Sequence, residues 1–115
     1  MSQRTDRLDS QIRSELMELL QREMKDPRIG FATITRVETA RDLGSARVWV
    51  SILGTDAERE SSMRALTDSA PWLRRRLAER LTLRHMPQLV IKYDDAIEAG
   101  DRVLKLLREL DEEKK

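Results

Sequence analysis

Pro71 lies inside a long stretch of otherwise helix-favouring residues, and it constrains how this chain can fold. Proline lacks a backbone N–H and its ring clashes with the preceding helical turn, so it disfavours a continuing helix. It also pushes Ala70 away from the helical region of backbone conformation. Both costs vanish when proline opens a new helix. The sequence therefore predicts a helix over residues 56–68, a break at 69–70, and a second helix over 71–84.

The second predicted helix is amphipathic and strongly basic. Leu73, Leu77 and Leu81 recur every four residues and form an apolar stripe. Five arginines surround that stripe: Arg74, Arg75, Arg76, Arg80 and Arg84. The first turn of such a helix offers free N–H groups and the positive end of the helix dipole. With arginines beside it, that turn has the parts of a phosphate-binding site. Arg76 lies nearer the apolar stripe, so we expect it to be partly structural.

The remaining pattern predicts an α+β fold. Residues 5–24 form an amphipathic helix, and alternating residues predict strands over 31–39, 46–53 and 88–93. The connection between the last two strands is long enough for them to pair in parallel. The predicted order is α-β-β-α-kink-α-β with a C-terminal helix from about Asp101, and the helices cover a three-stranded mixed sheet.

Length and composition predict a single domain. The chain has 115 residues, enough for one core, and we expect residues 1–4 and 111–115 to fray. It has no cysteine, which excludes disulfides and thiolate metal sites and fits a cytoplasmic protein. Four aromatic residues are too few for a broad base-stacking platform. The sequence offers no signal peptide and no apolar run that would span a membrane.

Charge is unevenly distributed along the chain. Residues 71–92 hold six arginines and lysines against one glutamate, whereas residues 93–115 hold five bases against eight acids. This asymmetry favours one anion-binding surface and one acidic surface. The alternative is that the arginines only form a solvated helix face. On the second strand, Arg47 and Trp49 alternate with the apolar residues and therefore share the opposite face. There we expect Trp49 to cover the sheet, with the aliphatic part of Arg47 beside it.

Catalytic patterns are weak in this sequence. His85 is the single histidine, and the spacing of the other residues from it indicates no partner nucleophile or base. The pair Asp94–Asp95 is explained by a helix cap, and no phosphate-binding glycine loop exists. RNA or DNA binding through the basic surface is the favoured function. Two alternatives stay open: a module that binds an acidic protein partner, and a hydrolase built on His85 and Asp94.

Local sequences carry a resemblance to a known family. The matching stretches, in order, are LQREMKDPR at 20–28, ATITRVE at 32–38, RDLGSARVWV at 41–50 and RHMPQLVIKYD at 84–94. With the predicted element order, they resemble the ribosome-binding factor A family, whose fold is a KH-like domain of the bacterial type (type II). The family's turn between its central helices is Ala-x-Gly, and the matching positions here are Ser69, Ala70 and Pro71. Proline in place of glycine would preserve the break but stiffen it.

The resemblance implies a non-enzymatic, cytoplasmic assembly factor without a cofactor or metal. Such proteins bind the free 30S ribosomal subunit through 16S rRNA, assist its late maturation and 5′-end processing, and support growth in the cold. They are linked to a ribosome-associated GTPase, and we expect a monomer. Together with the basic pattern, this predicts the RNA-binding residues Ser69, Ala70, Pro71, Arg74, Arg75, Arg80, Arg84, His85, Lys25, Arg28, Arg41 and Arg47.

Overall fold

A computed structural model describes residues 3–95 of the chain, with side chains from residue 6 onward, and shows an α+β architecture. Its elements are α1 (Gln3–Arg22), β1 (Phe31–Thr39), β2 (Ser45–Leu53), α2 (Asp56–Arg80) and β3 (Gln88–Tyr93). The strand boundaries agree with the predicted ones to within one residue. The predicted C-terminal helix and both ends expected to fray lie outside the described residues, apart from Gln3 and Arg4 in α1.

The three strands form a mixed sheet in the order β1-β2-β3. β1 and β2 pair antiparallel, with Phe31 opposite Leu53. β2 and β3 pair in parallel, with Val48 opposite Ile91. The predicted mixed sheet is therefore confirmed. The β1–β2 register shifts around Thr35, which places an extra residue in β1 and bends that strand.

The predicted break at Ser69–Ala70 is wrong, because α2 is one helix of 25 residues with Pro71 inside it. An interior proline costs about 3 kcal/mol. Against that cost, Leu66, Leu73 and Leu77 are all at most 2% exposed. Each contributes roughly 1.5–3 kcal/mol by burial. Their spacing of seven and four residues keeps them on one helical face. A continuous helix thus lets both halves of α2 share one core, and this packing outweighs the local preference of proline.

Both ends of α2 have clear causes. At its start, the Thr55 hydroxyl accepts from the Glu58 N–H and the Glu58 carboxylate accepts from the Thr55 N–H, each at 3.2 Å. Together these two bonds form a capping box, which the pattern Thr-x-x-Glu at residues 55–58 indicates in the sequence. Gly54 precedes it at φ +144°, a conformation that L side chains rarely adopt. At the other end, Leu81 is extended, so the helix stops at Arg80 rather than near Arg84 as predicted.

Both helices pack on one face of the sheet. The core contains Ile12, Leu16 and Leu19 from α1 and Leu73 and Leu77 from α2. From β2 it takes every second residue: Ala46, Val48, Val50 and Ile52. This confirms the alternation predicted for that strand. Within the described part of the chain, no helix covers the opposite face of the sheet, which we call the outer face.

An ion-pair network joins the C-terminal part of α2 to Glu15 of α1 and to Glu23, which directly follows α1. Arg80 donates to Glu15 at 3.0 Å and to Glu23 at 2.5 Å, while Arg76 bonds both Glu23 and Glu79. The hydrogen bond from Arg76 and the positive charges of both arginines hold the pKa of Glu23 below its ordinary value, against the opposing effect of desolvation. The network therefore fixes α2 against α1, and Arg76 is structural, as its place near the apolar stripe predicted.

Replacing Leu77 tests the orientation of α2. Because Leu77 is fully buried, Leu77→Ala should lower the free energy of unfolding by about 2–5 kcal/mol. Arg75→Ala, on the exposed side of the same helix, should cost at most about 0.5 kcal/mol. Urea denaturation measures both values. Equal losses in the two variants would mean that α2 presents a different face to the core.

The network also predicts how stability depends on pH. Because the pKa of Glu23 is lowered in the folded state, its contribution is fully present above the ordinary value of 4.5 and is lost as the pH falls through the folded-state pKa. Unfolding free energies measured between roughly pH 6 and pH 3 should therefore fall less steeply in Glu23→Gln than in the wild type. Gln21→Ala, an exposed change on α1, serves as the control. A Glu23→Gln profile parallel to the wild type would contradict this role for Glu23.

Candidate nucleic-acid interface

A cleft of 720 Å³ lies between the middle of α2 and the edge strand β3. It exists because β3 pairs in parallel with β2 and returns beside the helix that connects them. Its α2 wall consists of Thr67, Ala70, Pro71, Arg74 and Arg75, and its other wall consists of Gly44 and residues 88–91. The cleft therefore brings together four of the residues that the sequence predicted for RNA binding.

Arg74 and Arg75 have different surroundings in this cleft. Arg74 donates through Nη2 to the Met86 carbonyl at 2.7 Å, and its Nε lies 3.3 Å from the Pro87 carbonyl. It therefore anchors the segment that leads into β3. Arg75 is exposed and forms no ion pair with any described residue. Because no described carboxylate forms an ion pair with it, Arg75 is the cation of this wall best able to bind a phosphate.

Ser69 lies apart from its two predicted partners. Whereas Ala70 and Pro71 line the cleft, Ser69 lines a second concavity of 400 Å³ together with Lys25 and Trp72. Glu23 and Asp26 also border this second concavity, so its charge is mixed. The three predicted residues thus do not form one exposed turn, because α2 continues through them and turns neighbouring side chains to different sides.

Two of the predicted arginines are engaged by carboxylates. Arg80 faces α1 through the ion pairs described above, and these pairs, led by its bond to Glu15, raise its pKa. Arg28 bonds Asp26 at 2.8 Å and approaches Asp68 at 3.4 Å. The same bond from Arg28 lowers the pKa of Asp26. These guanidinium groups stabilise the fold at their present positions, and neither lines the cleft.

Exposed loops at one end of the sheet hold three more predicted residues. Arg41 lies in the turn between β1 and β2, and Arg84 and His85 lie between α2 and β3. The Gln88 N–H donates to the Gly44 carbonyl at 3.1 Å, which ties these two loops together. The cleft, which Gly44 and Gln88 both line, therefore opens toward this basic end of the sheet.

Trp49 and its neighbours on the outer face differ from the sequence-based expectation. The Arg36 guanidinium carbon lies 4.0 Å from the centre of the indole ring, whereas that of Arg47 lies 5.7 Å away. Arg36, which the sequence analysis did not single out, is thus the principal cover of the half-buried Trp49. The sequence does not reveal the bulge at Thr35, and this bulge places Arg36 opposite Trp49. The pairing could therefore not be predicted from the sequence.

The hydrolase alternative finds no joint site in the structure. His85 precedes β3 and Asp94 follows it, so the strand of six residues separates them by roughly 20 Å. Asp94 instead accepts a hydrogen bond from Thr35 at 2.6 Å. Among the described residues, no three acidic or histidine side chains come close enough to hold a metal. In the same part of the chain, neither helix combines the length and apolarity needed to cross a bilayer.

Comparison with known proteins gives one family. The sequence profile described as Ribosome-binding factor A matches residues 4–107. Ribosome-binding factor A of Desulfitobacterium hafniense is 44% identical over 110 residues, covering 96% of this chain and 88% of the relative. The Thermomicrobium roseum protein of the same name is 42% identical over 113 residues, covering 98% of this chain and 88% of the relative.

Solved structures agree with the sequence relatives. A Thermotoga maritima solution structure has a TM-score of 0.74 at 36% identity, with 85% of this chain and 93% of that one covered. A Thermus thermophilus ribosome-binding factor A homology model, fitted into a cryo-EM map of its complex with 30S, has a TM-score of 0.66 at 28% identity, with coverage of 77% and 93%. In sequence and in fold, this chain belongs to the ribosome-binding factor A family.

Proposed function

We propose that this protein is an assembly factor that binds the free 30S ribosomal subunit through 16S rRNA and assists its late maturation, including 5′-end processing. Membership of the ribosome-binding factor A family supports ribosome binding. The relative fitted into a 30S complex supports the small subunit as the partner. The mixed sheet with its two helices is compatible with a KH-like mode of RNA binding.

The observation that carries the proposal is the cleft between α2 and β3 with the uncommitted Arg75 on its wall. A nucleic-acid backbone needs cations that are free to meet phosphates, and the other arginines of α2 are largely engaged elsewhere. Ala70, Pro71 and Val90 add an apolar surface against which sugar rings can pack. The cleft thus combines a charge for the phosphate with a lining for the rest of the nucleotide.

The loops at the basic end extend the proposed interface. Arg41, Arg84 and His85 are exposed near the opening of the cleft, where a backbone leaving it would meet them. Arg74 acts mainly by holding the Met86–Pro87 segment and thereby the far wall. Arg28, Arg80 and Ser69 support this interface indirectly, through the fold around it. Lys25 makes a peripheral contact with the RNA from the second concavity.

The wider role follows the family resemblance. The protein acts without catalysis or a cofactor, as a cytoplasmic monomer, and supports ribosome assembly in the cold. A ribosome-associated GTPase is functionally linked to its release. These parts of the proposal depend on the family rather than on the geometry of the cleft.

Arg75→Ala tests the interface directly. If Arg75 meets a phosphate, its loss should weaken binding to purified 30S subunits by about three- to thirtyfold, the range of a charge-assisted contact that is partly solvated. It should also reduce the slope of log affinity against log salt by roughly one unit, because one fewer counterion is released. Sedimentation of the protein with 30S subunits across a salt series measures both effects.

Arg7→Ala is the matched control, since Arg7 is exposed on α1 and outside the cleft. It should bind 30S as the wild type does. Unchanged affinity and salt slope in Arg75→Ala would place the RNA site elsewhere. Binding to subunits that survives removal of the accessible rRNA by nuclease would instead favour an acidic protein partner.

A further inference from the structure

The outer face of the sheet carries a compact cationic group around Trp49. Arg36 lies opposite Trp49 on β1, Lys92 lies opposite it on β3, and Arg47 precedes it by two residues on β2. All four side chains share this face because their register positions match. Two acids lie close to this group: Glu38 is 3.5 Å from Arg36, and Asp94 accepts a hydrogen bond from Thr35, whose hydroxyl is 3.3 Å from the Trp49 carbonyl. Among the described residues, three cations therefore surround a single aromatic ring, with Glu38 and Asp94 beside them.

Arg36 and Trp49 form a layered platform. The guanidinium carbon lies 4.0 Å from the ring centre, which is the distance of a stacked cation–π contact. The Arg36 side chain nevertheless remains 57% exposed. The indole thus supports a guanidinium that is still accessible to solvent. Such a supported guanidinium loses little conformational freedom when a further flat group stacks on it.

This platform is continuous with the cleft across β3. Val90 lines the cleft, and in the parallel register it lies opposite Arg47 on the outer face. Val90 is also one of the exposed large apolar residues of the described chain. A chain that leaves the cleft over Val90 therefore reaches Arg47 first and then the Arg36–Trp49 stack. No described element blocks this path between the two surfaces.

We propose that the Arg36–Trp49 platform binds an unpaired base of the same RNA whose backbone lies in the cleft. Unpaired bases stack on arginine planes and aromatic rings, whereas paired bases are not available for such stacking. Arg47 and Lys92 neutralise the flanking phosphates. An acidic peptide would pair its carboxylates with the edge of the guanidinium, but it would leave unused the flat face that Trp49 supports. The inference rests on the proposed function and names its substrate as a single-stranded segment of RNA.

Arg36→Lys separates stacking from charge. Lysine keeps the positive charge but has no planar group, so it should lose the stacked base and retain the electrostatic attraction. In a Trp72→Phe protein, fluorescence reports Trp49 alone, because Trp72 is the other tryptophan. A short oligouridylate should quench this fluorescence, and Arg36→Lys should weaken its binding by about 5- to 100-fold. The salt slope should stay as in the parent protein.

Controls make each outcome decisive. Arg7→Ala should bind the oligouridylate like the parent, and an RNA hairpin without unpaired nucleotides beyond its loop should quench less than the single strand. Thermal melts check folding, and Arg36→Gln serves as a second variant if Arg36→Lys melts early. Equal oligouridylate affinity in parent and Arg36 variants, with 30S binding intact, overturns the platform alone. Equal quenching by oligoglutamate overturns it in favour of an acidic protein. Failure of the parent to bind 30S overturns the proposed function instead.

Discussion

Burial of one continuous apolar stripe on α2 determines where the functional features lie. Leu66, Leu73 and Leu77 all pack into the same core, which keeps the helix in phase through Pro71. The same phase turns Arg75 and Pro71 toward β3 and Arg76 and Arg80 toward α1. A broken helix would have freed the second half to rotate. Because the helix continues without a break, Pro71 and Arg75 stay beside β3 and line the cleft.

Most of the arginines of α2 form contacts within the protein. Arg76 and Arg80 tie α2 to the acids of α1, and Arg74 holds backbone carbonyls before β3. Buried or partly buried charges need such partners, since an unpaired one would be costly. The arginines of the basic half of α2 thus divide into structural cations and available ones. Arg75, with the exposed loop residues, remains available to a ligand, and the proposed RNA interface rests on this smaller group.

Local patterns predicted what local forces decide. The alternation of apolar and polar residues predicted the strands, and the Thr55–Glu58 pattern indicated the start of α2. The long connection between β2 and β3 predicted their parallel pairing. At Pro71 the prediction from local preference was wrong, because burial of the apolar face of α2 outweighs the preference of proline for a helix start. The partners of Arg80 lie as far as 65 residues away in sequence, so no spacing rule could reveal them. The Arg36–Trp49 stack depends on a bulge, which shifts the register of one strand.

The central claim is that the cleft between α2 and β3 faces 16S rRNA in the 30S complex, and site-specific photocrosslinking tests it most directly. A benzophenone side chain at position 67, on the exposed cleft wall, should crosslink to 16S rRNA when the protein is bound to 30S subunits. The same group at position 11, exposed on α1, should give little rRNA crosslinking. Crosslinking to rRNA from position 11 and none from position 67 would contradict the account.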